Sequence, residues 1–400
     1  MRLVKYDIDK NLCIKLDKSI QKDDSKGIMS FGEKNDYPEI IERIINNSVT
    51  AKAAARIYAK FLTGDGFVNE NLNKIIIAKD NRGKKITLRS LLSQAANSIS
   101  YFNGVYFHCN LNLNREIGSV KVVPFKHCRF EKLDDTGYTA KIAMYDNWQK
   151  DKGISFDTNK VIFYNVFNLE EKAFAEQIKK AGGDIKKYKG QIYFHFFDNQ
   201  YIYPLSPFDQ VYMDCDTEYQ VQLFKNRTIR NGMFDKTVFR IDPPDNETEK
   251  NDLVDGIKSF MGPDGDSVIV LEDEIDPETN QIKKTGAFVI DKIDANVNPR
   301  LFENWEKGLA NNIRKAMSDI PAILIDYEES KLGTTSGEAI EQATNFYNQM
   351  TQDDRNQLTE IFTEIFSNSA NGSLKNANFE IKKLDLYDGT STNIQSTTSD

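Results

Sequence analysis

The sequence predicts an α+β fold: an α/β amino-terminal part, two long antiparallel helices joined through a small α/β lobe, and a long carboxy-terminal helix. Three observations carry this. β-branched and aromatic runs cluster between residues 101 and 205, bounded by Gly, Asn or Asp. Two long helical patterns each begin with a capping residue and proline, Ser206-Pro207 and Asn298-Pro299, and bracket a segment with strand patterns of its own. The last third reads as a helix, a proline-broken apolar loop and a longer helix.

Taken in order, residues 1–30 read as short strands and a polar connector. The turn-rich stretch Phe31-Gly32-Glu33-Lys34-Asn35-Asp36-Tyr37-Pro38 enters a helix over 38–47, and Asn47-Ser48 separates it from a second over 49–62. Gly64 in Gly64-Asp65-Gly66-Phe67 is a natural C-cap for that helix. Leu88, Leu91, Leu92, Ala95, Ala96 and Ile99 give a helix over 88–100. Strands follow at 105–109, 120–123, 161–164 and 192–196, with a short helix ending at Lys179-Lys180-Ala181-Gly182-Gly183.

From Ser206, Phe208, Val211, Cys215, Tyr219 and Leu223 share one helical face, and Asn231-Gly232 closes the helix. The bracketed segment reads as strand 238–241, helix 246–261, and strands 268–271 and 287–290. In the second long helix Leu301, Trp305, Leu309, Ile313 and Met317 recur every four residues, and Ile320-Pro321 stops it. Ala322-Ile323-Leu324-Ile325 is an apolar run too short for another helix. After the loop Lys331–Gly337, a Thr335/Glu338 capping box opens a helix that keeps its apolar spacing to Phe366. The tail from Asp388 is Ser/Thr-rich and predicted to be disordered.

A chain of 400 residues with 40% hydrophobic and 11% aromatic side chains has ample material for a core, which excludes global disorder. No apolar run is long enough to span a membrane, and Met1–Asp17 lacks a signal-peptide core, so assembly in the cytoplasm is expected. Cys13, Cys109, Cys128 and Cys215 are scattered and give no disulfide framework. A net charge of −8 argues against a tight nucleic-acid clamp.

Catalytic patterns are missing. There is no phosphate loop, no His-Glu-x-x-His, and Gly333-Thr334-Thr335-Ser336-Gly337 has the wrong spacing for a nucleophile elbow. His108-Cys109 and His127-Cys128 raise zinc, but strand neighbours point to opposite faces, so neither pair chelates on one side. Asp214/Asp216/Glu218 and Asp264/Asp266 lack the glycine and terminal glutamate of a calcium loop and read as solvated carboxylates. No metal site, catalytic residue or cofactor is expected.

In the order and spacing of Asn35-Asp36-Tyr37-Pro38, Gly64-Asp65-Gly66-Phe67, Tyr203-Pro204-Leu205-Ser206-Pro207, Asn231-Gly232-Met233-Phe234 and the Ile320-Pro321 to Gly333 stretch, the chain resembles the portal proteins of tailed bacteriophages over roughly 30–370. The resemblance implies an α/β wing over 1–205, stem helices at 206–232 and 297–319, a clip over 233–296, a tunnel loop at 320–335, a wing helix at 336–368, and a short crown or disordered tail at 369–400. It further implies a homo-oligomeric ring, usually of twelve subunits, at one vertex of the capsid in the virion. Its implied partners are double-stranded DNA bound without sequence preference, the major capsid protein, the terminase large subunit and a head–tail adaptor; no membrane is implied.

Under that resemblance the tunnel-loop residues Glu328, Glu329, Ser330, Lys331, Gly333 and Thr334 face DNA, with Lys307, Arg314 and Lys315 as basic channel candidates. The acidic turn Glu272, Asp273, Glu274, Asp276 and Glu278 is either a solvated tip or a docking surface on the clip. Pro299–Phe366 carries six basic and twelve acidic residues, a balance that suits DNA sliding and argues against sequence reading. Two other readings stay open at this point: another minor head or connector protein, and a metal-dependent nuclease using scattered carboxylates.

Overall fold

A computed structural model describes residues 16–20, 22–23, 27–148, 160–198, 202–231, 236–240, 289–293, 299–326 and 336–385. The fold is mixed α and β, and the chain divides into two compact units: Met1–Asp216 with Ala310–Asp400, and Thr217–Leu309.

In the first unit, the short strands β1 (Lys22–Asp23) and β2 (Ile28–Met29) pair antiparallel. Helix α1 (Tyr37–Asn47) follows, with proline in its first turn, where a missing N–H costs nothing. Helix α2 (Val49–Thr63) is capped by Ser48, whose hydroxyl accepts from Ala51 N at 3.0 Å. Its buried face is built on Ala51, Ala54, Ala55 and Ala59, and helix α4 (Leu88–Phe102) answers with Ala95 and Ala96. Small side chains let the two backbones approach closely. Between them lie the one-turn helix α3 (Glu70–Lys74) and the hairpin β3 (Ile76–Lys79) with β4 (Lys85–Thr87), a pair the sequence reading did not anticipate.

Asn103, left-handed at φ 56°, ends α4 and turns the chain into β5 (Gly104–Leu111). β5 belongs to a six-stranded sheet with β6 (Ile117–Val123), β7 (Cys128–Phe130), β8 (Lys141–Met144), β9 (Ile162–Val166) and β10 (Gln191–Phe196). The order is β6-β5-β10-β9-β8-β7, antiparallel except for β9 and β10. Parallel neighbours need a crossover, and helix α5 (Glu171–Lys180) supplies it. β7 and β8 are additions to the expected strand set; their runs are too short to stand out as alternation.

Arg129 is the least expected core residue: its side chain is fully buried. Its Nε donates to Asn35 Oδ1 at 2.6 Å, and its terminal nitrogens donate to the carbonyls of Asn35, Lys126 and Cys128. Glu39 lies 3.7 Å away, and the guanidinium sits over the Trp148 ring. Asn35 Oδ1 also accepts from Phe31 N at 2.9 Å, so one amide holds the turn before α1 in its left-handed shape (φ 58°) and satisfies the buried cation.

The last third departs from expectation in three ways. Helix α7 (Pro299–Lys315) ends before Ile320-Pro321, because Ser318 and Asp319 turn left-handed and Ile320 N reaches back to Arg314 O at 3.2 Å. Pro321 instead starts a one-turn helix, α8 (Ala322–Ile325), where no further helix was expected; its extended conformation and missing N–H suit the position before a first turn. The expected single helix 336–368 is two, α9 (Ser336–Met350) and α10 (Gln352–Phe366), broken at Thr351. There the Thr351 hydroxyl donates to Tyr347 O, Arg355 donates to that hydroxyl and to Asn348 O, and the bend seats Arg355 against Phe61 O of α2. Thr335, the expected cap, lies outside the described residues, as do helix 246–261, strand 268–271 and the tail from 386.

Part of the stretch 369–385 packs back onto the first unit. After the one-turn helix α11 (Gly372–Lys375), Phe379, Ile381 and Leu384 are buried. Val68 N donates to Glu380 O and Lys382 N to Gly66 O. Gly64 makes this possible: a Cβ there would collide with the Lys382 carbonyl oxygen. The second unit contains the antiparallel pair β11 (Lys236–Arg240) and β12 (Val289–Ile293), so the strands expected at 238–241 and 287–290 are each displaced by about two residues.

Arg129→Ala strands the buried Asn35 amide and Glu39 carboxylate, and denaturant unfolding will show a loss of about 3–5 kcal/mol; a loss under about 1 kcal/mol, the range of surface pairs, would contradict the packing. Tyr58 donates to Asp354 Oδ2 at 2.7 Å, and burial raises the Asp354 carboxyl above its ordinary 3.8 against the lowering effect of that bond. A raised carboxyl binds protons more tightly folded than unfolded, so its contribution is complete below 3.8 and falls as pH rises through the folded value. Asp354→Asn will therefore gain stability on the wild type as pH rises above 3.8; a difference constant with pH would refute the assignment.

Candidate assembly and channel surface

The long helix after Ser206 is set in place by the turn that precedes α1. Ser206 Oγ donates to Tyr101 O at 2.6 Å and accepts from Phe208 N at 3.2 Å. Ser206 N donates to the Tyr37 hydroxyl, which itself donates to Asp209 Oδ1, both at 3.1 Å. Lys18 holds the other Asp209 oxygen at 2.8 Å. Burial, then the Asp209 charge, raises the Tyr37 phenol, so it remains a donor. Tyr203, three residues upstream of Ser206, stacks on Phe31 and Phe130; its hydroxyl donates to Met29 O and accepts from Phe130 N. The Asn-Asp-Tyr-Pro turn and the Tyr-Pro-Leu-Ser-Pro stretch are thus two halves of one junction, a contact that spacing in sequence could not show.

From this junction a 3-10 turn, Pro207–Val211, leads into α6 (Tyr212–Asn231), so the first turn is tighter than the continuous α-helix expected. Of the expected face, Phe208 and Cys215 are buried, while Val211, Tyr219 and Leu223 are half-buried. On α7, Ile313 and Met317 are buried, Leu309 is half-buried and Trp305 is 54% exposed. Met213 and Phe224 on α6 are 60% and 50% exposed. In the first unit Asn312 donates to Asp214 Oδ1 at 3.2 Å, and in the second Lys225 pairs with Glu306.

Of the basic channel candidates, Lys307 and Lys315 are exposed, and Arg314 is half-buried with its guanidinium on Asn311 Oδ1. Glu328, Glu329, Ser330, Lys331, Gly333 and Thr334 lie outside the described residues, and so do Glu272, Asp273, Glu274, Asp276 and Glu278. The start of the loop is described. Leu324 and Ile325 pack on the core of their own chain. Asp214, Asp216 and Glu218 are half-buried, not freely solvated, and Asp216 Oδ1 is shielded without a hydrogen-bond partner among the described residues.

The histidine–cysteine pairs serve the sheet. His108 Nε2 lies 2.7 Å from Lys189 O, and the His127 carbonyl accepts from Trp148 Nε1. Burial lowers both imidazoles and raises the Cys109 and Cys128 thiols, keeping all four neutral. Among the described residues no group of three or more His, Cys, Asp or Glu side chains is placed to hold a metal ion, and no helix is long and apolar enough to cross a membrane.

The outward apolar residues of α9, Phe346 and Met350, are 46% and 47% exposed. The two lie four residues apart and so share one face of the helix.

No protein-family profile and no curated sequence matches the chain. Among solved structures it is similar to a subunit in the neck of an empty gene transfer agent particle computed with C6 symmetry, at 11% identity and TM-score 0.45, covering 88% of this chain and 85% of that one. It is similar to one in the neck of the native particle computed with C12 symmetry, at 12% identity and TM-score 0.44, with the same coverage. An HK97 family phage portal protein from Corynebacterium diphtheriae is similar at 8% identity and TM-score 0.38, covering 76% of this chain and 84% of that one. Likeness at this level carries no functional argument.

Tyr37→Phe removes one hydroxyl from the junction and leaves Ser206 N and Asp209 short of a partner. We expect a stability loss of about 1–3 kcal/mol by thermal or denaturant unfolding. An unchanged midpoint would show that the junction does not hold the helix.

Proposed function

We propose that this chain is the ring-forming subunit of a phage portal, a non-enzymatic channel at one capsid vertex through which double-stranded DNA enters and leaves. The observation that carries the reading is the pair α6 and α7. They bracket 233–296 in sequence, the first follows a proline turn capped by Ser206, and they leave Met213, Phe224 and Trp305 exposed. Large apolar side chains left outward on long helices are what lateral packing against copies of the same chain requires.

On this reading 233–296 is the clip that meets the terminase motor and later the head–tail adaptor, with the acidic turn 272–278 as its docking surface. The wing meets the major capsid protein, and twelve subunits close the ring. Residues 320–335 face the channel, where Lys331 contributes one weak phosphate contact per subunit, worth about 1 kcal/mol or less when exposed. Contacts that weak hold DNA without stopping it.

The native mass of the purified chain tests the reading. Wild type assembles into a large closed oligomer. Met213→Asp places a charge in the lateral contact and weakens association about tenfold or more, with the helical signal of the subunit unchanged. A wild type that stays monomeric at every salt and protein concentration, or a Met213→Asp chain that assembles as the wild type does, contradicts it.

A further inference from the structure

We propose that the β3–β4 hairpin, with Lys121 beside it, is a second nucleic-acid surface that binds the phosphate backbone of a duplex. From Asn71 to Arg115 the chain carries a single acidic residue, Asp80, against Lys74, Lys79, Arg82, Lys84, Lys85, Arg89 and Arg115. That excess stands out in a chain whose net charge is −8. The hairpin is built as a tight turn: Asp80 N donates to Lys84 O, Gly83 N donates to Asp80 O, and Gly83 takes φ 80°. The Asp80 carboxylate is committed to that turn, accepting from Arg82 N and Lys84 N at 2.8 Å each. It is therefore held by backbone amides and not by the neighbouring cations.

The cations are left outward. Lys79, Arg82, Lys84, Lys85 and Arg89 are exposed, and among the described residues none of them, nor Lys121, has a carboxylate partner. Lys79 faces Lys85 directly across the strand pair. Like charges opposite one another destabilise a hairpin, so stability alone does not explain the arrangement. Arg82, Lys84, Lys85 and Lys121 converge on one cleft of about 410 Å³, with Ser90 and Gln94 as neutral donors on its wall.

The lining favours a duplex backbone. No aromatic ring lines the cleft, so there is no platform on which single-stranded bases would stack. It also lacks the aromatic anchors that protein interfaces use, and lysine is depleted in such interfaces. What remains is a set of mobile point charges matched to a closely spaced row of phosphates. This role belongs to the hairpin alone and holds for a monomer as well as for a ring.

The test is duplex binding by the full chain, read by fluorescence anisotropy with random-sequence double-stranded DNA across a salt series. Three proteins are compared: the wild type; a hairpin variant with Arg82→Gln, Lys84→Gln, Lys85→Gln and Lys121→Gln; and a control with Lys179→Gln, Lys180→Gln, Lys186→Gln and Lys187→Gln, which changes the charge equally at exposed positions near α5. The hairpin variant will bind at least about tenfold more weakly at low salt, and its log–log salt slope will be shallower by about 0.9 for each phosphate that is no longer neutralised, while the control stays near the wild type. Equal losses in both variants, or no duplex binding by the wild type, overturn the proposal. So does polyglutamate binding as tightly as the duplex through the same residues, which would make the partner an acidic protein. Assembly is read separately by native mass, so failure here and failure of the ring are distinguishable.

Discussion

The buried Arg129 cation constrains the whole first unit. A guanidinium taken out of water must be met by acceptors, and here three carbonyls, one amide oxygen, an aromatic face and a nearby carboxylate meet it. The hydrogen-bond acceptors belong to the turn before α1 and to the chain leading into and along β7. Meeting the charge fixes that turn against the sheet. The turn in turn presents Tyr37, whose hydroxyl holds Ser206 and Asp209 and so sets where the long helix α6 begins. Breaking the first contact therefore reaches a helix that Arg129 does not touch. On the proposed reading, the direction of that helix decides how neighbouring subunits meet.

Much of this was legible in the sequence, but as separate marks. Ser48 and Gly64 announced their helix boundaries because capping is local chemistry. β5 and β10 were legible because they are long, buried and rich in aromatics. The junction was not, since Tyr37 and Ser206 are 169 residues apart and nothing local marks their partnership. Thr351 was hidden for a different reason: apolar spacing runs straight through it, and the break depends on Arg355 bonding back to Asn348 and Thr351. β7 and β8 were missed because three- and four-residue strands owe their existence to neighbours in the sheet. The acidic turn and the tunnel-loop tip lie outside the described residues, and their roles rest on the proposed function alone.

Charge divides the chain's surfaces by task. The stretch from Pro299 to Phe366 is acidic on balance, which on the proposed reading lets a polyanion move without sticking. The β3–β4 hairpin is the opposite, with cations crowded together and their one acidic neighbour tied into the turn. Net charge alone conceals this contrast, and the hairpin's register exposes it. Apolar surface divides in the same way. Ile313, Met317 and Ile320 are sealed into the first unit, while Met213, Phe224 and Trp305 remain outward on the paired helices. On α7, exposure at Trp305 and burial at Ile313 is the pattern of a helix that packs first on its own chain and then on another.

The most direct measurement is an image of the purified full chain by electron microscopy. Closed rings are expected, with a central channel wide enough for a DNA duplex and with 206–232 and 297–319 from successive subunits packed side by side. Particles of single-subunit size, or an assembly in which those helices do not touch between subunits, would contradict the ring.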